Sequence, residues 1–168
     1  MKKAQLMMPA ILFVLLSAPS ISGQVLDEHL KLLAPLINKN WEGDMPRLGE
    51  GAKREVMWKA VWNGKAVKQT TEVKKLQSVT EAYFYWDSDK HEIGVFSITS
   101  NGNFYHGHAI EEDGKILIYG DIIFPNEKLK FRNTFEPTEE GKLIDRWFTS
   151  ESGEWRPGHT FELSEKKE

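Results

Sequence analysis

The chain has 168 residues, with 22 basic and 25 acidic side chains, a net charge of −3 and no cysteine. Without cysteine there is no disulfide and no thiol for lipid attachment, so the hydrophobic core must hold the fold together. An acidic surface without a basic stripe repels phosphate backbones, and nucleic acid is therefore not a predicted partner.

Residues 1–22 have the pattern of a secretory signal peptide. Lys2 and Lys3 give a positive start, residues 7–16 form an apolar run, and Ser20 and Ser22 fit the small-residue rule for cleavage. The apolar run is shorter than the roughly 20 residues that a membrane-spanning helix needs. We therefore predict cleavage after Ser22, a secreted or periplasmic protein without a stable membrane anchor, and a single domain over residues 23–168.

Residues 25–38 follow with an apolar stripe at helical spacing, which is formed by Leu26, Leu30, Leu33, Leu36 and Ile37. Pro35 is expected to shorten or kink this helix, because proline lacks the backbone N–H that a helix interior uses. The pattern predicts a short amphipathic helix that packs its leucines on a sheet or across the open end of a barrel.

The rest of the chain alternates apolar and polar residues between turn signals such as Asn63-Gly64, Asn101-Gly102 and Asp113-Gly114. These pairs favour tight hairpins, which connect antiparallel neighbours. Strands are predicted over residues 41–43, 54–62, 65–73, 79–86, 91–99, 103–111, 115–119, 129–135, 143–150 and 154–163, with an irregular connection over 120–127. Ten strands with short links predict an all-β, up-and-down meander that closes into a barrel, because closure removes exposed edges. A sandwich of two sheets is the alternative.

Several short motifs of turns and strand edges occur along the chain, namely Tyr85-Trp86-Asp87, Phe104-Tyr105, Asp113-Gly114-Lys115, Glu140-Gly141-Lys142-Leu143 and the segment 153–159. In order and spacing they resemble bacterial families of unknown function with a lipocalin-like, calycin-type barrel. Trp41-x-Gly43 is similar to the opening of calycin barrels, including haem-binding nitrobindin-like proteins, although Lys39 stands where that pattern has glycine. The resemblance implies a cavity protein of uncharacterised role, and no cofactor is predicted.

The aromatic content suggests what such a cavity could bind. Six tryptophans, nine phenylalanines and four tyrosines are more than one small core needs, and aromatic walls with polar handles hold and orient apolar ligands. The predicted ligand-binding residues are Trp58, Tyr83, Tyr85, Tyr105 and Arg146. Arg146 is included because it shares one face of its predicted strand with Ile144 and Phe148 and could therefore point inward. Ordinary core packing is the alternative interpretation of the aromatic residues.

Three histidines are weak candidates for metal ligation. His106 and His108 are two residues apart on a predicted strand and therefore share one face, and His159 or Asp145 could supply a further ligand. The alternative is that these histidines face solvent or form local hydrogen bonds, and no metal site is predicted. No nucleophile elbow, phosphate-binding loop or zinc-protease motif occurs in the sequence, so no catalytic residue is predicted.

The leading functional prediction is an exported β-barrel protein that binds a small, mainly apolar molecule in its interior. Two other functions remain open at this point. One is a metal- or haem-assisted enzyme that uses the barrel histidines, and the other is a structural or interaction module with a filled core.

Overall fold

A computed structural model describes residues 25–124, 127–150 and 152–166, so the predicted signal peptide lies outside the described residues. Ten antiparallel strands form one closed barrel in which each strand pairs with its neighbours in sequence and β1 pairs with β10. This confirms the predicted barrel and excludes the two-sheet sandwich. The strands are β1 (Asn40–Asp44), β2 (Lys53–Val61), β3 (Ala66–Val73), β4 (Ser78–Asp87), β5 (Glu92–Thr99), β6 (Phe104–Glu112), β7 (Lys115–Ile123), β8 (Lys128–Pro137), β9 (Lys142–Ser150) and β10 (Arg156–Glu165).

The turn between β6 and β7 shows how the sequence directs this meander. Glu112 pairs with Lys115, which leaves a two-residue loop of Asp113 and Gly114. Both have positive φ, 53° and 74°, as the tightest hairpin turns require, and asparagine, aspartate and glycine tolerate that conformation best. The Asp-Gly pair therefore sets the register of two strands that contribute to the cavity wall.

Two local predictions from the sequence were wrong. The strand predicted over residues 54–62 includes Trp62, but Trp62 lies in a turn with φ of 50° and is 64% exposed. β7 does not end at Tyr119. It continues through Gly120, which pairs with Gly107 on β6, to Ile123. A Cβ atom at Gly120 would lie 2.0 Å from the carbonyl oxygen of His106, so glycine here permits a close approach of two strands and does not end the strand.

The predicted N-terminal helix is confirmed, but it is a 3₁₀ helix over Glu28–Leu36. The Asp27 side chain caps it by accepting a hydrogen bond from the His29 backbone N–H at 3.1 Å. A 3₁₀ helix has three residues per turn, so Leu30, Leu33 and Leu36 lie in one row. All three leucines are fully buried, and this row covers one end of the barrel.

The barrel interior has a filled half at the end that the helix covers and an open half at the opposite end. At the covered end, the ring of Trp58 packs on Phe84 with a centroid distance of 5.0 Å and against Phe135 at 5.4 Å. These rings lie with the helix leucines in one hydrophobic cluster. No helix in the described part of the chain is long and apolar enough to cross a membrane.

Candidate ligand-binding cavity

A cavity of about 400 Å³ occupies the barrel half opposite the N-terminal helix. Its lining comes from the strand ends that lie far from the helix, such as Arg54 near the start of β2, Val73 at the end of β3 and Thr80 near the start of β4. Because side chains alternate between the two faces of a strand, every second residue of these segments points inward. The closed sheet as a whole therefore forms the cavity, and no single loop does.

One wall of the cavity is apolar and comes from β6 to β10. Tyr105 packs edge-on against Phe131 and Trp147, with a centroid distance of 5.8 Å to each. Phe131 and Trp147 stack at 4.9 Å with ring planes 10° apart. Burial raises the pKa of the Tyr105 phenol, although a hydrogen bond with Asn103 works in the opposite direction. These rings, together with Ile118 and Phe161, form a largely hydrocarbon surface.

The facing wall comes from β3, β4 and β5 and carries hydrogen-bonding side chains among apolar ones such as Val73, Phe84 and Val95. The strand register places Gln69, Ala82 and Ser97 in one row across the three strands. Thr71 and Thr80 pair in the next row toward the mouth of the cavity. All five residues line the cavity. The cavity therefore has two different walls, one able to form hydrogen bonds and one able to bury apolar surface.

The remaining polar residues of the interior form what we call the buried polar cluster, made of Arg54, Asn133, Asp145 and His159. Asp145 is fully buried. Its Oδ2 lies 2.5 Å from Nη1 of Arg54, and its Oδ1 accepts a hydrogen bond of 2.6 Å from Nδ2 of Asn133. The Arg54–Asp145 contact is an ion pair by distance but is not well aligned as a hydrogen bond, and Asp145 Oδ2 therefore has no hydrogen-bond partner. Nε of Arg54 is also buried without one.

Asp145 is held in its charged form by this cluster. Burial disfavours the carboxylate, but the positive charge of Arg54 and the polar neighbours His159 and Asn133 outweigh burial and hold the pKa of Asp145 below its ordinary value of 3.8. The negative charge of Asp145 and the positive charge of Arg54 therefore compensate each other inside the barrel.

His159 occupies the inner face of β10, where it precedes Phe161 and Leu163 at two-residue spacing. Nη1 of Arg54 lies 3.2 Å from its Nε2. A guanidinium group can only donate, so Nε2 accepts this hydrogen bond and the neutral imidazole carries its proton on Nδ1. Oδ1 of Asp145 is 3.8 Å from the same Nε2, too far for a hydrogen bond.

Of the five predicted ligand-binding residues, only Tyr105 lines the cavity. Trp58 points inward but is fully buried beneath the cavity, against the covered end of the barrel. The structure places the other three predicted residues, Tyr83, Tyr85 and Arg146, outside the cavity. Tyr83 stacks with Trp62 and Phe96 on the outer face, and Tyr85 lies over Gly94 on the same face.

Arg146 also lies on the outer face, where its Nη1 is 2.5 Å from Oε2 of Glu136. The reason is the pairing of β9 with β8 and β10. It places Leu143, Asp145 and Trp147 with the inward residues of the neighbouring strands, so the residues between them point outward. Apolar side chains occur on both faces of β9, so alternation within this strand could not decide which face is inside.

The metal candidates do not come together. His106 is exposed, and the Nδ1 atom of His108 lies 2.8 Å from Oε1 of Glu92 on the outer face. His159 is inside, and the lone pair of its Nε2 already accepts a hydrogen bond from Arg54. Within the described ranges, no group of three or more histidine, aspartate or glutamate side chains could hold a metal ion. Nε2 of His159 is thus engaged within the buried polar cluster, and we derive no chemistry through a haem or metal.

The polar residues of the interior that were not predicted as site residues include the three with the longest side chains, Arg54, Gln69 and Asn133. A signal existed for two of them. Arg54 lies two residues before Val56 and so shares its face, and Asn133 alternates with Phe131 and Phe135. The third, Gln69, is flanked on both sides by polar residues, and its burial depends on strand pairing.

Comparison with known proteins supports the fold but does not indicate a function. No protein-family model and no curated protein sequence matches this chain. Among solved structures, the crystal structure of Rv2717c from M. tuberculosis is similar, with a TM-score of 0.51, 12% sequence identity, and coverage of 85% of this chain and 100% of that chain. At this identity the similarity shows the barrel fold alone, since one fold hosts many functions. The lipocalin-like, calycin-type assignment stays a prediction.

Proposed function

We propose that this protein is an exported β-barrel protein that binds a small, mainly apolar molecule in its cavity. The observation that carries the proposal is the cavity of about 400 Å³ with one aromatic wall and one wall that carries hydrogen-bonding side chains. Ligand sites in proteins commonly measure roughly 300–1,000 Å³ and combine apolar surface with a few polar groups. A structural module would be expected to fill its interior, so the cavity favours binding over a purely structural role.

The arrangement of His159 favours binding over metal- or haem-assisted catalysis. The Nε2 atom of His159 is engaged by Arg54, and the other two candidate histidines lie on the opposite face of the sheet. Export is proposed from the signal-peptide pattern of residues 1–22. Mass spectrometry of protein from the periplasm or the culture medium should then find Gly23 as the first residue. Full-length protein confined to the cytoplasm would contradict export.

Binding can be tested with two adjacent threonines on β3. Thr71 lines the cavity, whereas Thr70 lies on the outer face, paired with Glu81 and Met57. We expect the wild-type protein to bind the neutral fluorescent probe N-phenyl-1-naphthylamine. Thr71→Phe should lower the affinity about ten-fold or more, because the added ring occupies cavity volume that the probe needs.

The matched control is Thr70→Phe, which adds the same ring outside the barrel and should leave probe affinity within about two-fold of wild type. Far-ultraviolet circular dichroism should show that both variants remain folded. Equal losses in the two folded variants, or no binding by the wild-type protein of any member of a panel of apolar probes, would contradict a ligand site in this cavity.

A further inference from the structure

The carboxamide of Gln69 is the least satisfied group that lines the cavity. Gln69 is only 7% exposed, and its Nε2 is buried without a hydrogen-bond partner. Within the described part of the chain, no side-chain hydrogen bond involves Gln69 at either end of the amide. A buried amide without partners costs stability, so native proteins seldom keep one without a use.

The surroundings of Gln69 leave space for a ligand to supply the missing partners. Ala82 lies beside Gln69 in the same row of the wall, and Ser97 follows on the next strand. Ala82 has the smallest side chain in this row, so it leaves the Gln69 amide open toward the cavity. The Ser97 hydroxyl, in a residue only 7% exposed, can donate and accept on the far side of Ala82.

The charge balance of the interior favours an uncharged ligand. Arg54 lines the cavity, and a lone arginine would attract a carboxylate. Here its charge is compensated by Asp145 at 2.5 Å, and the same guanidinium donates to His159. A ligand carboxylate would have to approach the buried carboxylate of Asp145, and like charges repel strongly where water is excluded.

We infer that the cavity selects an uncharged, largely apolar molecule that carries a carbonyl next to an N–H, as in a lactam or a secondary amide. The inference rests on the proposed binding function and names the class of ligand. The ligand carbonyl accepts a hydrogen bond from Nε2 of Gln69, and the ligand N–H donates to its Oε1. The apolar body of the ligand lies toward the wall of Tyr105 and Trp147.

Four probes of nearly equal shape test this inference. Quinolin-2(1H)-one is a neutral lactam, its N-methyl derivative lacks the N–H, naphthalene lacks both polar groups, and 2-naphthoate is an anion. Their affinities for the wild-type protein are measured by quenching of tryptophan fluorescence, since Trp147 lines the cavity, with calorimetry as an independent check. We expect the lactam to bind about ten-fold or more tightly than each of the other three probes.

The variant Gln69→Leu removes the amide and keeps an apolar side chain of similar size, so it should fold. We expect it to lose the preference for the lactam while it retains affinity for naphthalene. The control Thr70→Val changes the neighbouring outward residue and should keep the preference.

The outcomes separate the two proposals. If the N-methyl derivative or naphthalene binds the wild-type protein as well as the lactam, or if 2-naphthoate binds best, the inference about ligand class is overturned and the binding function stands. The role of Gln69 is overturned if the folded Gln69→Leu variant keeps the preference. If none of the four probes binds but N-phenyl-1-naphthylamine does, the inference alone is overturned. If that probe and the rest of the apolar panel also fail to bind, the proposed function fails together with the inference.

Discussion

The ion pair between Asp145 and Arg54 holds one negative and one positive charge inside the barrel, with Asp145 fully buried and the Arg54 side chain only 11% exposed. Asp145→Asn leaves the positive charge of Arg54 uncompensated, and breaking a buried pair in this way typically costs about 3–5 kcal/mol. We therefore expect the free energy of unfolding to fall by about that amount, measured by urea denaturation at neutral pH.

The neighbouring pair on the outer face provides the control. Arg146 and Glu136 lie on β9 and β8, the strands that also carry Asp145 and Asn133. Both side chains are about one-third exposed. Solvent-exposed pairs contribute at most about 1 kcal/mol, so Glu136→Gln should have a small effect. Similar losses of unfolding free energy in the two variants would show that the buried pair stabilises the fold no more than the exposed pair.

The lowered pKa of Asp145 also predicts how stability depends on pH. A carboxyl whose pKa is lower in the folded than in the unfolded protein stabilises the fold fully above its unfolded pKa. That stability is lost as the pH falls through the folded pKa. The wild-type protein should therefore lose stability as the pH falls from near the ordinary aspartate value of 3.8 to lower values.

Asp145→Asn lacks this group, so the difference in unfolding free energy between wild type and variant should shrink as the pH falls below about 4. Urea denaturation curves recorded in steps from about pH 7 to about pH 2.5 measure the difference. A difference that stays constant over this range would contradict a lowered pKa for Asp145 in the folded protein.

The orientation of individual side chains was the part of the site least accessible from sequence. Alternation divides a strand into two faces but does not say which one is inside. In β9, Leu143 and Trp147 mark one face as apolar while Ile144 and Phe148 mark the other. Both faces also carry charge, Asp145 on one and Lys142 and Arg146 on the other. Pairing with β8 and β10 resolves the choice, and it places Asp145 inside.

The elements themselves were largely predictable, because turn chemistry acts locally. Glycines with positive φ, such as Gly102 and Gly141, lie between strands at the predicted places. The error at β7 has a different origin. Gly120 has a low intrinsic preference for strands, but the close approach to Gly107 of β6 requires it there. That requirement lies in the neighbouring strand and is not visible in the local sequence.

The N-terminal helix contributes stability through the leucines that it buries in the covered end of the barrel. Leu33→Ala should lower the free energy of unfolding by about 2–5 kcal/mol, since it leaves a cavity in a packed region. Leu32 is the matched control, because it is adjacent, identical in chemistry and only partly buried. Leu32→Ala should therefore cost less. Thermal and urea denaturation measure both variants.

The helix variants also test the division of the interior into two halves. Because Leu33 lies at the end of the barrel away from the cavity, folded Leu33→Ala should bind N-phenyl-1-naphthylamine with wild-type affinity. A large loss of probe affinity in that variant would show that the filled half and the open half are not independent.

Closure of the barrel depends on its shortest ladder. β1 pairs with β10 at only two positions, Trp41 with Glu165 and Glu42 with Ser164. The β6–β7 ladder in the same sheet has nine pairs. Few backbone pairs must break to separate β1 from β10, so local opening should begin at this seam and require less free energy than global unfolding.

Native-state hydrogen exchange can locate this opening. We expect the backbone amides of the seam to exchange faster than those of β6 and β7, with a lower dependence on denaturant, because opening there exposes little surface. A ligand that contacts residues from both sides of the seam, such as Met45 next to β1 and Phe161 on β10, should slow exchange at the seam, since opening would weaken its contacts. Uniform exchange across all ten strands would instead show that the barrel opens only as a whole.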